Sequence, residues 1–266
     1  MPFVNVNGAA LHFAHKPASA GAPTVVFSNS LGTDFRVWDE VVARLPGEFG
    51  VLRSDKRSHG LSEFTERASE ISAHAGDVLA LMDHVKVDKA VLCGLSVGGL
   101  IVQEVVRTAP ERVSGLILCC TGSKIGNDEM WSSRIAAVEE GGIAALADAV
   151  MERWFSPAYR AAGSATLMGA RLMLVRQPDA GYAAISRMLR DTDLRDAAAS
   201  IAVPTLCIAG EYDGSTPPAL VKETADRIPG AEYAQIDGVG HIPCVEAPGA
   251  VADQIAGFVS RSGLSG

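Results

Sequence analysis

Gly94-Leu95-Ser96-Val97-Gly98 is the stretch whose reading decides the fold. It follows the apolar run Ala90-Val91-Leu92-Cys93, which reads as a buried strand, and precedes Leu100, Ile101, Val102, Val105 and Val106, apolar at helical spacing. A strand, a tight turn and a helix are predicted in that order. At such a turn the serine is forced into a strained backbone position with its hydroxyl pointing out, and the flanking glycines remove the Cβ atoms that would strike strand and helix. The Val97 N–H and the positive end of the helix dipole then face any oxyanion formed on Ser96, the candidate nucleophile. The bland alternative is a glycine-rich turn with a small polar residue.

The surrounding sequence supplies more strands. Val4 to Ala14 alternates around Asn7-Gly8, a hairpin signal that places an antiparallel pair at a sheet edge. Strands follow at Thr24–Phe27, Val51–Ser54, Gly115–Cys120, Ile201–Ala209 and Ala231–Ile236. Helices are expected near Val37–Leu45 and over Ile71–Val85, the latter capped by Ser72. This alternation predicts an α/β fold, a mainly parallel sheet of about eight strands with helices on both faces. From 123 to 190 no strand-like run appears, so residues 1–122 and 191–266 read as the core and 123–190 as a helical lid inserted after the sixth strand.

The 266 residues suit one large domain. A 48% hydrophobic and 20% charged composition is that of a well-buried globular protein, and a net charge of -8 argues against nucleic acid or an anionic membrane as partner. The insertion carries eight basic and seven acidic residues, +1, which leaves -9 on the rest: a plausible entrance for an anion. Met1-Pro2-Phe3-Val4-Asn5 lacks the basic start and apolar stretch of a signal peptide, and no run spans a bilayer; a soluble cytoplasmic protein is expected. Cys93, Cys119, Cys120 and Cys207 lie in strand-like runs as small hydrophobes, without metal-finger spacing; Cys244 stands out because it lies near His241.

Asp213 follows the last-but-one strand and His241 the last, so both belong on the edge that carries Ser96. Serine, acid, histidine is the order a hydrolytic triad on such a sheet requires, with His241 as base and Asp213 holding its tautomer. Glu211 is the second choice of acid. His59 precedes the nucleophile and takes a loop-fastening role with Asp55 and Arg57, while His12, His15, His74 and His84 read as structural residues on surface positions. The loop after Phe27 should supply the second oxyanion donor, Leu31 N–H beside Val97 N–H, with Ser30 as the alternative.

Asn29-Ser30-Leu31-Gly32-Thr33, Asp55-Lys56-Arg57-Ser58-His59-Gly60-Leu61-Ser62, Gly94-Leu95-Ser96-Val97-Gly98-Gly99 and Gly240-His241-Ile242-Pro243 together resemble the 3-oxoadipate enol-lactonases of bacterial aromatic catabolism, within the α/β-hydrolase superfamily. The resemblance covers nearly the whole chain; Ser58 departs from it, standing where relatives carry glycine. It implies an α/β-hydrolase fold and a small anionic lactone substrate, opened by water to 3-oxoadipate without a metal or organic cofactor. The substrate carboxylate then needs a cation. Trp131 and Arg134, three apart on a helix, offer an aromatic wall beside a fork of donors, with Lys124 and Arg187 as further candidates. Competing readings are a carboxylesterase, a carbon–carbon bond hydrolase or a cofactor-free peroxidase of the same fold, and a hydrolase-like ligand receptor.

Overall fold

The computed structural model describes residues 2–266. Strands β1 (Phe3–Val6), β2 (Ala9–Lys16), β3 (Thr24–Ser28), β4 (Gly50–Ser54), β5 (Ala90–Leu95), β6 (Val113–Cys119), β7 (Thr205–Gly210) and β8 (Glu232–Ile236) form one sheet in the order β1-β2-β4-β3-β5-β6-β7-β8. β2 runs antiparallel to β1 and β4, and every pairing from β4 to β8 is parallel. Asn7 (φ 48°) and Gly8 (φ 75°) both take positive φ, as a two-residue hairpin turn between Val6 and Ala9 demands.

The core helices are α1 (Asp39–Val42), α2 (Ile71–His84) and α3 (Val97–Thr108). The helix expected over 37–45 is shorter: Asp34 caps a 3₁₀ turn at Phe35–Trp38, and α1 adds one turn. Pro46 bars helical continuation at the residue before it. Ser72 lies inside α2, whose cap is Glu70 without a side-chain bond, so the expected Ser72 cap is corrected.

Between β6 and β7 come α4 (Asp128–Gly141), α5 (Ala147–Trp154), α6 (Pro157–Ala161), α7 (Ala165–Val175), α8 (Asp179–Asp191) and α9 (Arg195–Ala198). The ends of this excursion meet: Leu194 N–H donates to the Ser123 carbonyl (2.8 Å) and Lys124 Nζ to the Arg190 carbonyl (2.6 Å). α10 (Pro218–Arg227), α11 (Pro243–Glu246) and α12 (Pro248–Arg261) complete the chain. Among the described residues no helix is long and apolar enough to cross a membrane.

β3, β5 and β7 are buried along their whole length, so the sheet's centre is covered on both faces. The loop after β4 is fixed from α2, because Arg57 grips Asp77 with Nε (2.7 Å) and Nη2 (2.6 Å), both side chains being buried. Two histidines expected at the surface are inside. His12 lies between the rings of Phe3 and Phe35 with Nδ1 2.8 Å from Asp55, because β2 is covered by the loops after β3 and β4. His74, on the inner face of α2, bonds the Ala68 carbonyl through Nε2 (2.9 Å), and its Nδ1 meets no partner among the described residues.

Burial pulls the His74 pKa down to about 3, opposed by the Ala68 bond and reinforced by Lys56 and Arg57. The unfolded chain takes up this proton near the ordinary value of 6.5, whereas the folded chain holds it off until about 3. The unfolded state therefore binds more protons across that window, and stability is lost as pH falls through it. His74→Gln, which has no group titrating there, should show a smaller drop in urea midpoint between pH 7 and 4.5 than wild type. Equal drops would place the acid sensitivity elsewhere.

Candidate active site

Ser96 sits between β5 and α3 at φ 57° and ψ -120°, a conformation that costs a non-glycine residue strain and turns its side chain out of the strand line. Its neighbours show why glycine is needed there. A Cβ on Gly94 would strike the Gly98 carbonyl, and one on Gly98 would strike the Ser28 carbonyl at the end of β3. The turn is held from β6: Ser96 N–H donates to the Cys119 carbonyl (3.0 Å) and Thr121 Oγ1 to the Ser96 carbonyl (2.7 Å). Val97 opens α3, so its N–H has no intrahelical acceptor.

Asp213 and His241 meet as their chain positions require. His241 Nδ1 lies 2.8 Å from Asp213 Oδ2, and both side chains are buried. The second carboxylate oxygen accepts the Ser215 (2.7 Å) and Thr216 (2.8 Å) N–H groups. Burial alone would raise the Asp213 pKa, but the charge and hydrogen bond of His241 and the bonds from Thr216 outweigh it and hold the carboxyl below its ordinary value. Glu211 is exposed and accepts the Gly238 N–H (2.8 Å) of the histidine loop, while the His241 ring is held by Asp213.

Sequence reading did not single out Thr216. Its hydroxyl lies 2.7 Å from Asp213 Oδ2, 2.8 Å from the Cys120 carbonyl and 3.2 Å from His241 Nδ1. The Asp-x-x-Thr spacing, a side-chain turn pattern, was its available signal.

The inserted helices fasten both loops. The Trp154 carbonyl accepts the His241 N–H (2.7 Å), and the Arg153 carbonyl accepts the Gly214 N–H (3.2 Å). Glu246 ties the Gly240 N–H (2.7 Å) to the Ser156 hydroxyl (2.6 Å). Over the loop after β3, Gly32 (φ 77°) leaves room where a Cβ would stand 2.5 Å from Leu174 Cδ1 and 3.3 Å from the Trp154 and Tyr182 rings.

Leu31, buried in that loop, has an N–H that donates to no group among the described residues. His59 does fasten the loop, through other partners than expected: its Nε2 accepts the Gly32 N–H (2.9 Å) and its Nδ1 donates to the Ser58 carbonyl (2.9 Å). Asp55 instead takes His12 and the N–H groups of Phe35 and Leu61, and Arg57 takes Asp77. Burial drives the His59 pKa well below the ordinary value and Lys56 adds to this, which keeps Nε2 unprotonated as an acceptor. Cys244 is buried in α11, where burial pushes its thiol well up and away from reactivity. It lines an apolar cavity of about 350 Å³ with Val37, Trp154, Met173 and Ile242.

Trp131 is buried, donates Nε1–H to the Ile125 carbonyl (2.7 Å) and carries the Arg134 guanidinium over its ring at 4.9 Å. Arg153, also not singled out from sequence, joins this corner. Burial lowers its pKa and the neighbouring Arg134 lowers it further, against Tyr182 and Glu152. Burial raises the Tyr182 hydroxyl, and Arg134 and Arg153 both oppose it. Neither arginine forms an ion pair among the described residues, whereas Lys124 is spent on the Arg190 carbonyl and Arg187 on Glu139. Two guanidinium groups that both act on Tyr182 and have no ion-pair partner among the described residues suit an anion.

Residues 20–254 match the model of the alpha/beta hydrolase family. The chain is an α/β hydrolase. Two curated relatives of this hydrolase are 3-oxoadipate enol-lactonases 2 and 1 of Acinetobacter baylyi, 31% and 33% identical over 91% and 90% of this chain and 90% and 89% of theirs. Among solved structures, the enol-lactonase from Burkholderia xenovorans LB400 superposes with a TM-score of 0.93 at 37% identity, over 97% of this chain and all of that one. A thermophilic esterase from Thermogutta terrifontis gives 0.90 at 26%, over 98% of this chain and 97% of that one. This hydrolase is thus an ester hydrolase with an eight-stranded sheet.

The two acids separate by substitution. Asp213→Asn should lower kcat by about a thousandfold or more, because an amide cannot fix the imidazole tautomer or stabilise an imidazolium. Glu211→Gln should stay within about twofold of wild type, since only the Gly238 contact changes. The reverse pattern in steady-state ester hydrolysis would exchange their roles.

Proposed function

We propose that this hydrolase opens 3-oxoadipate enol-lactone with water, giving 3-oxoadipate in the breakdown of aromatic compounds. The observation that carries the reading is the unpaired Arg134–Arg153 corner on Trp131 and Tyr182, joined to the loops of Asp213 and His241 through Arg153 and Trp154. The substrate named by the enol-lactonase relatives is a small ring bearing a carboxylate, which such a corner suits.

In this mechanism Ser96 Oγ attacks the lactone carbonyl as His241 Nε2 takes the hydroxyl proton. Asp213 holds the imidazolium, and the tetrahedral oxyanion lies on the Leu31 and Val97 N–H groups. Collapse breaks the ring C–O bond. The enol oxygen leaves with the proton from His241 and tautomerises to a ketone, which removes the nucleophile that could re-close the ring. His241 then takes a proton from water, the hydroxide adds to the acyl carbon, and Ser96 leaves with that proton. Arg134 and Arg153 hold the carboxylate arm, and Trp131 walls the ring.

Steady-state assays with the enol-lactone and with p-nitrophenyl acetate test this. Ser96→Ala should abolish both activities. Arg134→Met and Arg153→Met should each raise KM for the lactone about tenfold, the loss of one charge-assisted hydrogen bond, and leave the neutral ester within about twofold. Efficient ester cleavage with negligible lactone opening would make the protein a carboxylesterase instead.

A further inference from the structure

The loop that carries Leu31 is gripped from beneath by a buried cation that the mechanism above leaves unused. Lys56, 7% exposed, donates through Nζ to the Ser30 carbonyl (2.7 Å) and more weakly to the Thr33 carbonyl (3.3 Å). The same Ser30 carbonyl accepts Thr33 Oγ1 (2.9 Å) and the Thr33 N–H (3.3 Å). On the far side of Leu31, the Gly32 N–H is held by His59 Nε2 (2.9 Å).

The Ser30 carbonyl and the Leu31 N–H belong to one peptide unit, and the chain has no cis peptide among the described residues. In a trans peptide these two groups point in opposite directions. Three donors on the oxygen therefore aim the N–H away from Lys56 and draw electron density along the peptide, which strengthens that N–H as a donor. A cationic donor does this more strongly than a neutral one.

We propose that Lys56 is a positioning and polarising residue of the oxyanion hole, acting through the Ser30–Leu31 peptide on the tetrahedral oxyanion formed on Ser96. This rests on the roles given to Ser96 and Leu31 under the proposed function. A loop fastener could be neutral at this site. Here a lysine is buried instead, drawn down to about 7 by burial against the pull of Asp55 and Asp34, with its Nζ aimed at that one carbonyl at 2.7 Å.

The test combines p-nitrophenyl acetate kinetics, the affinity of phenyl trifluoromethyl ketone, whose serine adduct bears the oxyanion, and fluorophosphonate labelling of Ser96. Lys56→Met should lower kcat by about 10- to 100-fold, somewhat less than deleting an oxyanion donor outright. KM should stay within about twofold, and ketone affinity should fall by the same factor as kcat, as expected of an interaction made in the transition state. Lys56→Gln, a neutral donor, should fall between Lys56→Met and wild type. Thr33→Val, close in shape and leaving Lys56 in place, should lower kcat about two- to fivefold through loss of the second donor.

Wild-type kcat and ketone affinity in Thr33→Val and in either Lys56 variant would overturn the proposal, as would kcat losses without matching losses of ketone affinity. If Lys56→Met does not fold by circular dichroism, Lys56→Gln and Thr33→Val decide. Absence of label on Ser96 in wild type would bring down the nucleophile assignment and this proposal with it; labelled Ser96 with unaffected variants would bring down the proposal alone.

Discussion

The crowding of β3, β5 and α3 around Ser96 is the constraint on which the rest depends. Strand β5 must turn into α3 within one residue, while the end of β3 stands against the same turn at Gly98. Only glycine fits at 94 and 98, and the serine between them takes a positive φ that an ordinary strand or helix residue avoids. The strain is sustained by the sheet: β5 is buried along its length between β3 and β6, and β6 supplies the acceptor for the Ser96 N–H. A buried serine is thereby set at the head of a helix, next to the loop that follows β3.

The parallel strands then deliver the remaining groups to the same edge. Asp213 follows β7 and His241 follows β8, and their 2.8 Å contact joins two loops separated by α10 and β8 in the chain. Neither loop is fixed by the sheet alone. The carbonyls of Arg153 and Trp154, at the end of α5, accept N–H groups from the acid loop and the histidine loop, and Glu246 links the latter to Ser156. The helical insertion is consequently part of the framework that holds Asp213 and His241, besides bringing two arginines to the corner beside them.

Electrostatics divides the site into two kinds of buried group. Asp213 is surrounded by donors and stays ionised in spite of burial, whereas His59 and His74 are held neutral by theirs. A neutral His59 can accept the Gly32 N–H, and Lys56 Nζ donates to the neighbouring Ser30 carbonyl. The two therefore act on opposite sides of Leu31, one on an N–H and one on a carbonyl. Arg57 is paired with Asp77 beneath them, so the loop after β4 is anchored to α2 and supports the loop after β3.

The sequence by itself determined the sheet, the order of its strands along the chain, the glycine-bounded serine turn and the positions of the acid and histidine at strand ends. These follow from local rules: apolar runs of strand length, turn residues with restricted φ, and the periodicity of a helix. It also placed Trp131 and Arg134 on one helical face, because that relation needs only a spacing of three. Tertiary structure alone decided which histidines are buried, since His12 and His74 are covered by loops and strands remote in the chain. It also decided the partners of His59, the contact of Thr216 with the Asp213–His241 pair, the nearness of Arg153 to Arg134, and the grip of Lys56 on Ser30. Apart from the Asp213–Thr216 turn, each of these is a contact between residues with no fixed spacing, set by how loops and inserted helices close over the sheet edge.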